Sequence, residues 1–519
     1  MRIKADSVPV LLIAVLAAVF GVTGCSSSSE ETGGGRVTGS AYANVDLAST
    51  RNFPSGLDSG NVSRLDLAWS QSADVEAPDV GFVASPVVLH GVAYLQDGDS
   101  NVSAIDVKTG DVLWSKTFDL STRGPNGLAV GEGVVFGATV TGLFALDAGS
   151  GEELWYTELA SGESEEITMI PGYHDGLVYV STTPADQEGG EVGVLWAVDA
   201  GTGEKVWHFD TAEKGLWGNP SVNYGGGITH PPAFDGEGSM YVGTGNPGPA
   251  PGTAEYPWGS SRPGPNLYTL SVLKLDEKTG ELEWYYQVTP HGVCNWDVGG
   301  PLLTEINGRK IVVAAGRSGI VVALDQKSGK LVWKKLVGRH NGHTNDGLLA
   351  MRGEYWRLDL PMAVLPGAYG GVAGQLAVNE STVFVPVIDN ATTLDNQEGA
   401  TFSSAYDGWV VALDLGSGAE KWKRHLSGPP FGPVAATNDL VFASSYDGAV
   451  YAYRANSGQR VWRKKLSTAT EGGIAIVDRT LLVRTGYPQQ EEVQKLMAYR
   501  LGGNSSGGSV ADPGRDAAG

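Results

Sequence analysis

Residues able to do chemistry gather in two stretches of this 519-residue chain, 240–269 and 289–297. The first contains Gly243-Thr-Gly-Asn-Pro-Gly248 and Arg262-Pro-Gly; the second is Thr289-Pro-His-Gly-Val-Cys-Asn-Trp-Asp297. The glycines of the first match G-x-G-x-x-G, by which a helix N-terminus holds a dinucleotide pyrophosphate. Pro247 and Pro249 are incompatible with a helix continuing from that point, so this chemistry is excluded. His340 and His343 lack a Cys or carboxylate at ligand spacing and make a weak metal pair. There is no Cys-x-x-Cys-His for a haem and no serine elbow. What remains are single polar residues far apart in sequence: Glu191 beside Glu188 in a Gly-rich loop, Asn246, Asp297 and Arg317. Each has a plain structural reading as well. Asp297 is a turn aspartate bonding its own backbone, Asn246 a turn residue before Pro247, Glu191 a solvated carboxylate, and Arg317 a partner for an edge carboxylate. Only a fold that gathers distant segments would make them a site.

The elements that would do so are announced by a repeat. Seven times an Asp-like position and a Ser/Thr-Gly pair are followed by a Trp eight residues after the first position. The copies open at Asp106, Asp147, Asp199, Asp276, Asp325, Asp414 and, with a basic swap, Arg454. A degenerate eighth copy runs from Asn61 to Trp69. Repetition at 40–50 residues means a solenoid, a propeller or an array. Short β-rich runs such as Gly319-Ile-Val-Val-Ala-Leu324 flank Gly-containing turns, the pattern of antiparallel hairpins. No repeat carries a long stretch of helical period. The spacing therefore predicts an all-β, eight-bladed β-propeller over residues 41–503, with the tryptophans packed between blades. Successive repeat tryptophans lie 45, 41, 52, 77, 49, 89 and 40 residues apart. The two long gaps exceed one blade, and loops of that size in a compact domain are usually functional.

Composition fits: 41% hydrophobic content supplies a large core, and 74 glycines suit frequent turns. A net charge of −22 argues against nucleic acid or an anionic membrane surface as partner. Residues 1–24 read as an export leader, with Arg2 and Lys4 before an apolar run and Thr23-Gly24-Cys25 at its end. The small pair before Cys25 resembles a lipoprotein cleavage box, which implies acylation of Cys25 and a lipid anchor on the outer side of a bacterial membrane. Residues 25–40 read as a Ser/Gly-rich tether and 504–519 as a disordered tail. Cys294 reads as a small buried thiol.

The repeat, Gly-Thr-Gly-Asn-Pro, Arg-Pro-Gly and Thr-Pro-His…Trp-Asp together resemble the quinoprotein alcohol dehydrogenases. That family holds pyrroloquinoline quinone (PQQ) and Ca²⁺ on a propeller axis. The resemblance implies that Asn246, Glu191 and Asp297 serve the calcium, with Asp297 also the catalytic base. It implies Arg317 beside the quinone carbonyls and Thr168 in contact with the ring. It further implies an alcohol, small or polymeric, as substrate, and an external electron acceptor. Three positions depart from the family pattern. Gly227-Ile-Thr-His-Pro-Pro-Ala-Phe-Asp235 lacks the floor Trp, Asn126 stands where an arginine is expected, and an apolar residue near Val83 replaces a glutamate. These departures keep open a second reading, a non-catalytic propeller lipoprotein that serves as an assembly scaffold.

Overall fold

The computed structural model describes residues 44–72, 84–121, 127–184, 191–212, 219, 221–292, 297–343, 347–396, 399–467, 470, 472–485 and 495–502. Cys25, Val83, Asn126 and Cys294, with the expected leader, tether and tail, lie outside them.

Among the described residues the strands form eight antiparallel sheets of four or five strands. The fifth is representative: Leu302–Ile306, Arg309–Ala315, Ile320–Asp325 and Leu331–Leu336 follow one another as a meander. Its middle strands are nearly continuous apolar runs buried on both faces, such as Ile320–Asp325. The fourth strands alternate instead; Glu153–Glu158 in the second sheet reads exposed, exposed, half-buried, exposed, half-buried, exposed. That is the difference expected between a strand sandwiched by neighbours and one at a rim. The eighth sheet closes the ring. Leu65–Ser72, from the start of the chain, pairs with Lys495–Leu501 from its end, Leu65 opposite Leu501.

Neighbouring sheets are joined by the repeat. In the first copy Asp106 Oδ1 accepts from Lys108 N, Thr109 N and Thr109 Oγ1, which closes the turn. In the copies at Asp147, Asp325 and Asp414 the serine hydroxyl holds the carboxyl below its ordinary range. The turn glycine takes positive φ, +84° at Gly110 and +74° at Gly151, and the tryptophan of the preceding sheet lies flat against it. A Cβ on Gly151 would stand 2.5 Å from the Trp114 ring, so glycine is required twice over. From Trp69 to Trp422 each indole N–H of the repeat then donates to a carbonyl of the next sheet. Trp114 reaches Ala148 O at 3.0 Å, Trp333 reaches Leu415 O at 2.8 Å and Trp422 reaches Ala455 O at 2.9 Å.

Every sheet runs in the same sense, so the connection between its second and third strands always falls on one face, with the start of its first strand. The repeat turns fall on the other. Both long gaps therefore expand the first face: residues 244–270 lie between Ser239–Gly243 and Ser271–Asp276, and 390–406 between Thr382–Asp389 and Asp407–Asp414. They meet in a satellite core of Trp258, Met362, Val364 and Leu394.

The N-terminal segment runs along the first strands of four sheets. Leu47 O, Ala48 O, Thr50 O and Arg51 O accept in succession from Phe234 N, Leu303 N, Val378 N and Ala436 N, on the first strands of the fourth to seventh sheets. Arg51 is fully buried and donates to Val434 O, Asn44 Oδ1, Ser85 Oγ and Ile474 O. Burial lowers its guanidinium to about 9. The sequence carries no repeat signal in this segment to announce that role.

Candidate functional site

The expected site residues all lie on the expanded face. Glu191, Asn246 and Arg317 occupy connections between second and third strands, and Asp297 and Thr168 lead into first strands. A run of backbone bonds joins four of these positions across sequence. Gly225 N donates to Glu191 O at 3.1 Å, and Gly226 N to Asn246 O at 2.8 Å. Gly245 bridges to Asp297, and Arg317 N donates to Asp297 O at 3.3 Å. Such close passage needs bare backbone: a Cβ on Gly371 would stand 2.1 Å from Arg317 O.

The side chains are less uniformly gathered. Arg317 Nε and Asp297 Oδ1 form an ion pair at 4.0 Å, both largely buried. Asp297 Oδ1 has no hydrogen-bond partner although it is shut off from solvent. A buried oxygen in that condition is costly unless a ligand or water completes it. Asn246 donates its amide nitrogen to Pro247 O at 3.1 Å. Thr168 Oγ1 lies 3.2 Å from Thr183 Oγ1, against the glycine run at Gly227. Glu191 reaches the cluster through its backbone alone; its side chain is exposed, close enough to Glu165 to help burial raise that carboxyl. The G-x-G-x-x-G segment opens no helix: Pro247–Gly248 is a short strand paired with Tyr224–Gly225.

Two further residues belong to the site. His230 packs against Gly299 and Gly300, with its Nδ1 3.0 Å from Thr229 Oγ1. Burial pushes its imidazole below the ordinary value; Asp297 opposes the shift and Arg317 reinforces it. Gln375 turns its amide toward Gly300, and its Nε2 is buried without a hydrogen-bond partner. Neither carries a local sequence signal, although His230 stands in the stretch where the family's floor Trp is missing. This end of the ring, the mouth, thus brings a carboxylate, a guanidinium, an amide donor and an imidazole near one another. Gln375 Nε2 is left to donate to a ligand oxygen, and Asp297 Oδ1 to accept from a ligand hydroxyl or to meet a cation. Among the described residues no three His, Cys, Asp or Glu side chains gather as a metal cluster. A cation here would draw on amide and ligand oxygens as well.

Fold and repeat define a β-propeller built on tryptophan-docked sheets. The family model for the glucose/ethanol/alcohol dehydrogenase β-propeller domain matches residues 177–337. The model for the outer-membrane protein assembly factor BamB matches 58–122, 99–229, 351–486 and 446–499. The quinohemoprotein alcohol dehydrogenase of Comamonas testosteroni is 29% identical over 452 residues, 76% of this chain and 60% of that protein. The dehydrogenase subunit of a Gluconobacter oxydans quinone alcohol dehydrogenase is 26% identical, over 69% of this chain and 53% of that protein. The chain thus spans less than two thirds of the length of these curated relatives. The crystal structure of the Comamonas testosteroni enzyme matches with a TM-score of 0.77 at 23% identity, covering 93% of this chain and 83% of that one. BamB from Moraxella catarrhalis matches with a TM-score of 0.52 at 15% identity, covering 84% and 99%. The chain is a β-propeller similar both to the PQQ-dependent alcohol dehydrogenases and to BamB.

Proposed function

We propose that this protein is an alcohol dehydrogenase that carries PQQ at the channel mouth and passes electrons to an external acceptor. The observation that carries the reading is the Asp297–Arg317 ion pair, in which the buried Asp297 Oδ1 lacks a hydrogen-bond partner. PQQ, when bound, supplies the hydride-accepting carbonyl. Asp297 takes the hydroxyl proton of the alcohol. Arg317 sets positive charge where negative charge develops, and Gln375 donates to a ligand oxygen. Thr168 would border the ligand, while the glycine run at 225–227 lets Asn246 O, Thr211 and Thr183 pack closely behind it. Asn246 and Asp297, with Glu191 brought inward, would hold Ca²⁺, a hard ion that prefers such oxygens. The leader and Cys25 support export with a lipid anchor on the outer side of the bacterial membrane; intact mass of the mature N-terminal peptide tests this. The reading fails if protein given PQQ and Ca²⁺ shows neither quinone absorbance after gel filtration nor dye reduction with an alcohol panel.

One observation favours a second reading. The BamB model matches more of the chain than the dehydrogenase model does, which suits a non-catalytic scaffold. Against it stand the two insertions that enlarge only the face of the mouth. Recovery of a stable partner by the anchored protein, together with failure to retain PQQ, would favour the scaffold.

A further inference from the structure

Beside the mouth stands a wall of aromatic rings that the proton and charge chemistry does not use. Tyr369 and Phe402 meet edge-to-face at 5.0 Å. Tyr406 meets Phe431 at 5.7 Å, and Phe431 meets Tyr446 at 5.9 Å, again edge-to-face. All five lie in connections on the expanded face, from the fifth sheet to the seventh. The wall begins at the mouth. Tyr369 precedes by two residues Gly371, which packs on the Arg317 carbonyl; Phe431 precedes Gly432, whose carbonyl packs on Gly374 beside Gln375.

Phe402 is 46% exposed and Tyr406 38%. Exposed rings normally need no explanation, but these are held in place. Asn390, 1% exposed, donates both amide hydrogens to the loop that carries them, to Ser403 O at 2.9 Å and Ala405 O at 3.1 Å. Two carboxylates in these loops are engaged by neighbouring side chains. Asp407 is paired with His425, and Asp447 with Ser427, Ser445 and Lys465. Exposed aromatic rings held in place beside a candidate site mark a binding surface.

We propose that this wall binds the apolar tail of the substrate, so that the enzyme prefers alcohols bearing a hydrocarbon chain or aryl ring long enough to leave the mouth. The inference rests on the dehydrogenase reading for its reaction, and on the wall alone for its binding. The carboxylates a polyol could use there, Asp407 and Asp447, are already engaged by His425, Ser427, Ser445 and Lys465.

The test uses 1-octanol and ethanol as probes on the PQQ-loaded protein, with Phe402→Ser, Phe431→Ser and the conservative Phe402→Trp. Removing a ring should raise the KM for 1-octanol about tenfold and leave that for ethanol unchanged, with Phe402→Trp close to wild type. In parallel, saturation-transfer NMR follows 1-octanol binding to the cofactor-free protein. Turnover indifferent to chain length, or variants that raise both KM values alike, overturns the wall while the dehydrogenase reading stands. Binding of 1-octanol that weakens in the serine variants, with no turnover of any alcohol, upholds the wall and overturns the dehydrogenase. Absence of both binding and turnover overturns both.

Discussion

The two faces of this propeller are made by the same sheets and carry opposite kinds of information. On the face of the repeat turns, Asp, Gly and Trp recur sheet after sheet with the same bonds, such as Trp114 to Ala148 and Trp422 to Ala455. On the other face no two connections match. One carries Asn246, another Arg317, another the aromatic residues from Phe402 to Tyr406. A feature repeated around a ring can hold the ring together but cannot define one reacting centre, whereas a feature that occurs once can. The comparison assigns stability to the recurrent face and chemistry to the singular one, and it can be broken from either side.

The largest effect is expected at the mouth. Asp297→Asn keeps the shape but cannot take a proton, so steady-state turnover of the loaded protein should fall about a thousandfold. The thermal midpoint should move little, because the ion pair with Arg317 at 4.0 Å is loose. Trp422→Ala makes the converse case. Its indole is 6% exposed and bonds across the seam to Ala455 O, so denaturant unfolding should show a loss of about 3–4 kcal/mol. Turnover per folded molecule should be unchanged. If Trp422→Ala abolished turnover at full stability, or Asp297→Asn unfolded the protein, the division of labour between the faces would be wrong.

That division also explains what could be read in advance. A repeat turn is complete within a few residues: Asp106 bonds Lys108 and Thr109, and the glycine needs only the neighbouring Trp. The spacing therefore carried the sheets and their docking. The mouth is made by contacts between segments 20 to 75 residues apart, such as Gly245 with Asp297 and Gln375 with Gly300. Asp297 and Arg317 were found by resemblance, and the structure brings them together. Glu191 was named the same way, but only its backbone joins the cluster. His230 and Gln375 were missed because nothing local marks them; they acquire meaning from Gly299 and Gly300, which only folding brings near. The Arg51 segment was missed for the same reason.

A smaller effect concerns the insertion that walls the mouth. His291 is fully buried, with Nδ1 3.0 Å from Gly264 O and Nε2 3.3 Å from Trp258 O. Burial first, then Arg262, lowers its imidazole from 6.5 to about 4. The unfolded chain accepts a proton that the folded one refuses. The associated stability is therefore complete above pH 6.5 and declines as pH falls toward 4. Below that the full loss is roughly 3 kcal/mol. His291→Gln should flatten the wild-type profile between pH 4 and 6.5 in urea titrations. Parallel profiles for the two proteins would show that the site is open to water.

The smallest effect tests the one irregular copy on the recurrent face. Arg454 stands where six other copies carry Asp, and its turn survives because Gly458 N still donates to Arg454 O at 2.8 Å. Its guanidinium instead reaches Ser59 Oγ and lies 3.6 Å from Asp439, whose Oδ1 accepts from Ser59 N. Those contacts tie the seventh sheet to the segment that leads into Leu65–Ser72, the strand that closes the ring. Arg454→Asp would restore the turn bonds of the other copies, each a modest gain, but would set a second carboxylate beside Asp439 and release Ser59. The two changes nearly cancel, and the net loss should be under about 1 kcal/mol in denaturant titrations. Adding Asp439→Asn should recover most of it if like-charge repulsion is the cause. Stabilisation by the single change would mean that the arginine is an accident of the repeat and takes no part in closing the ring.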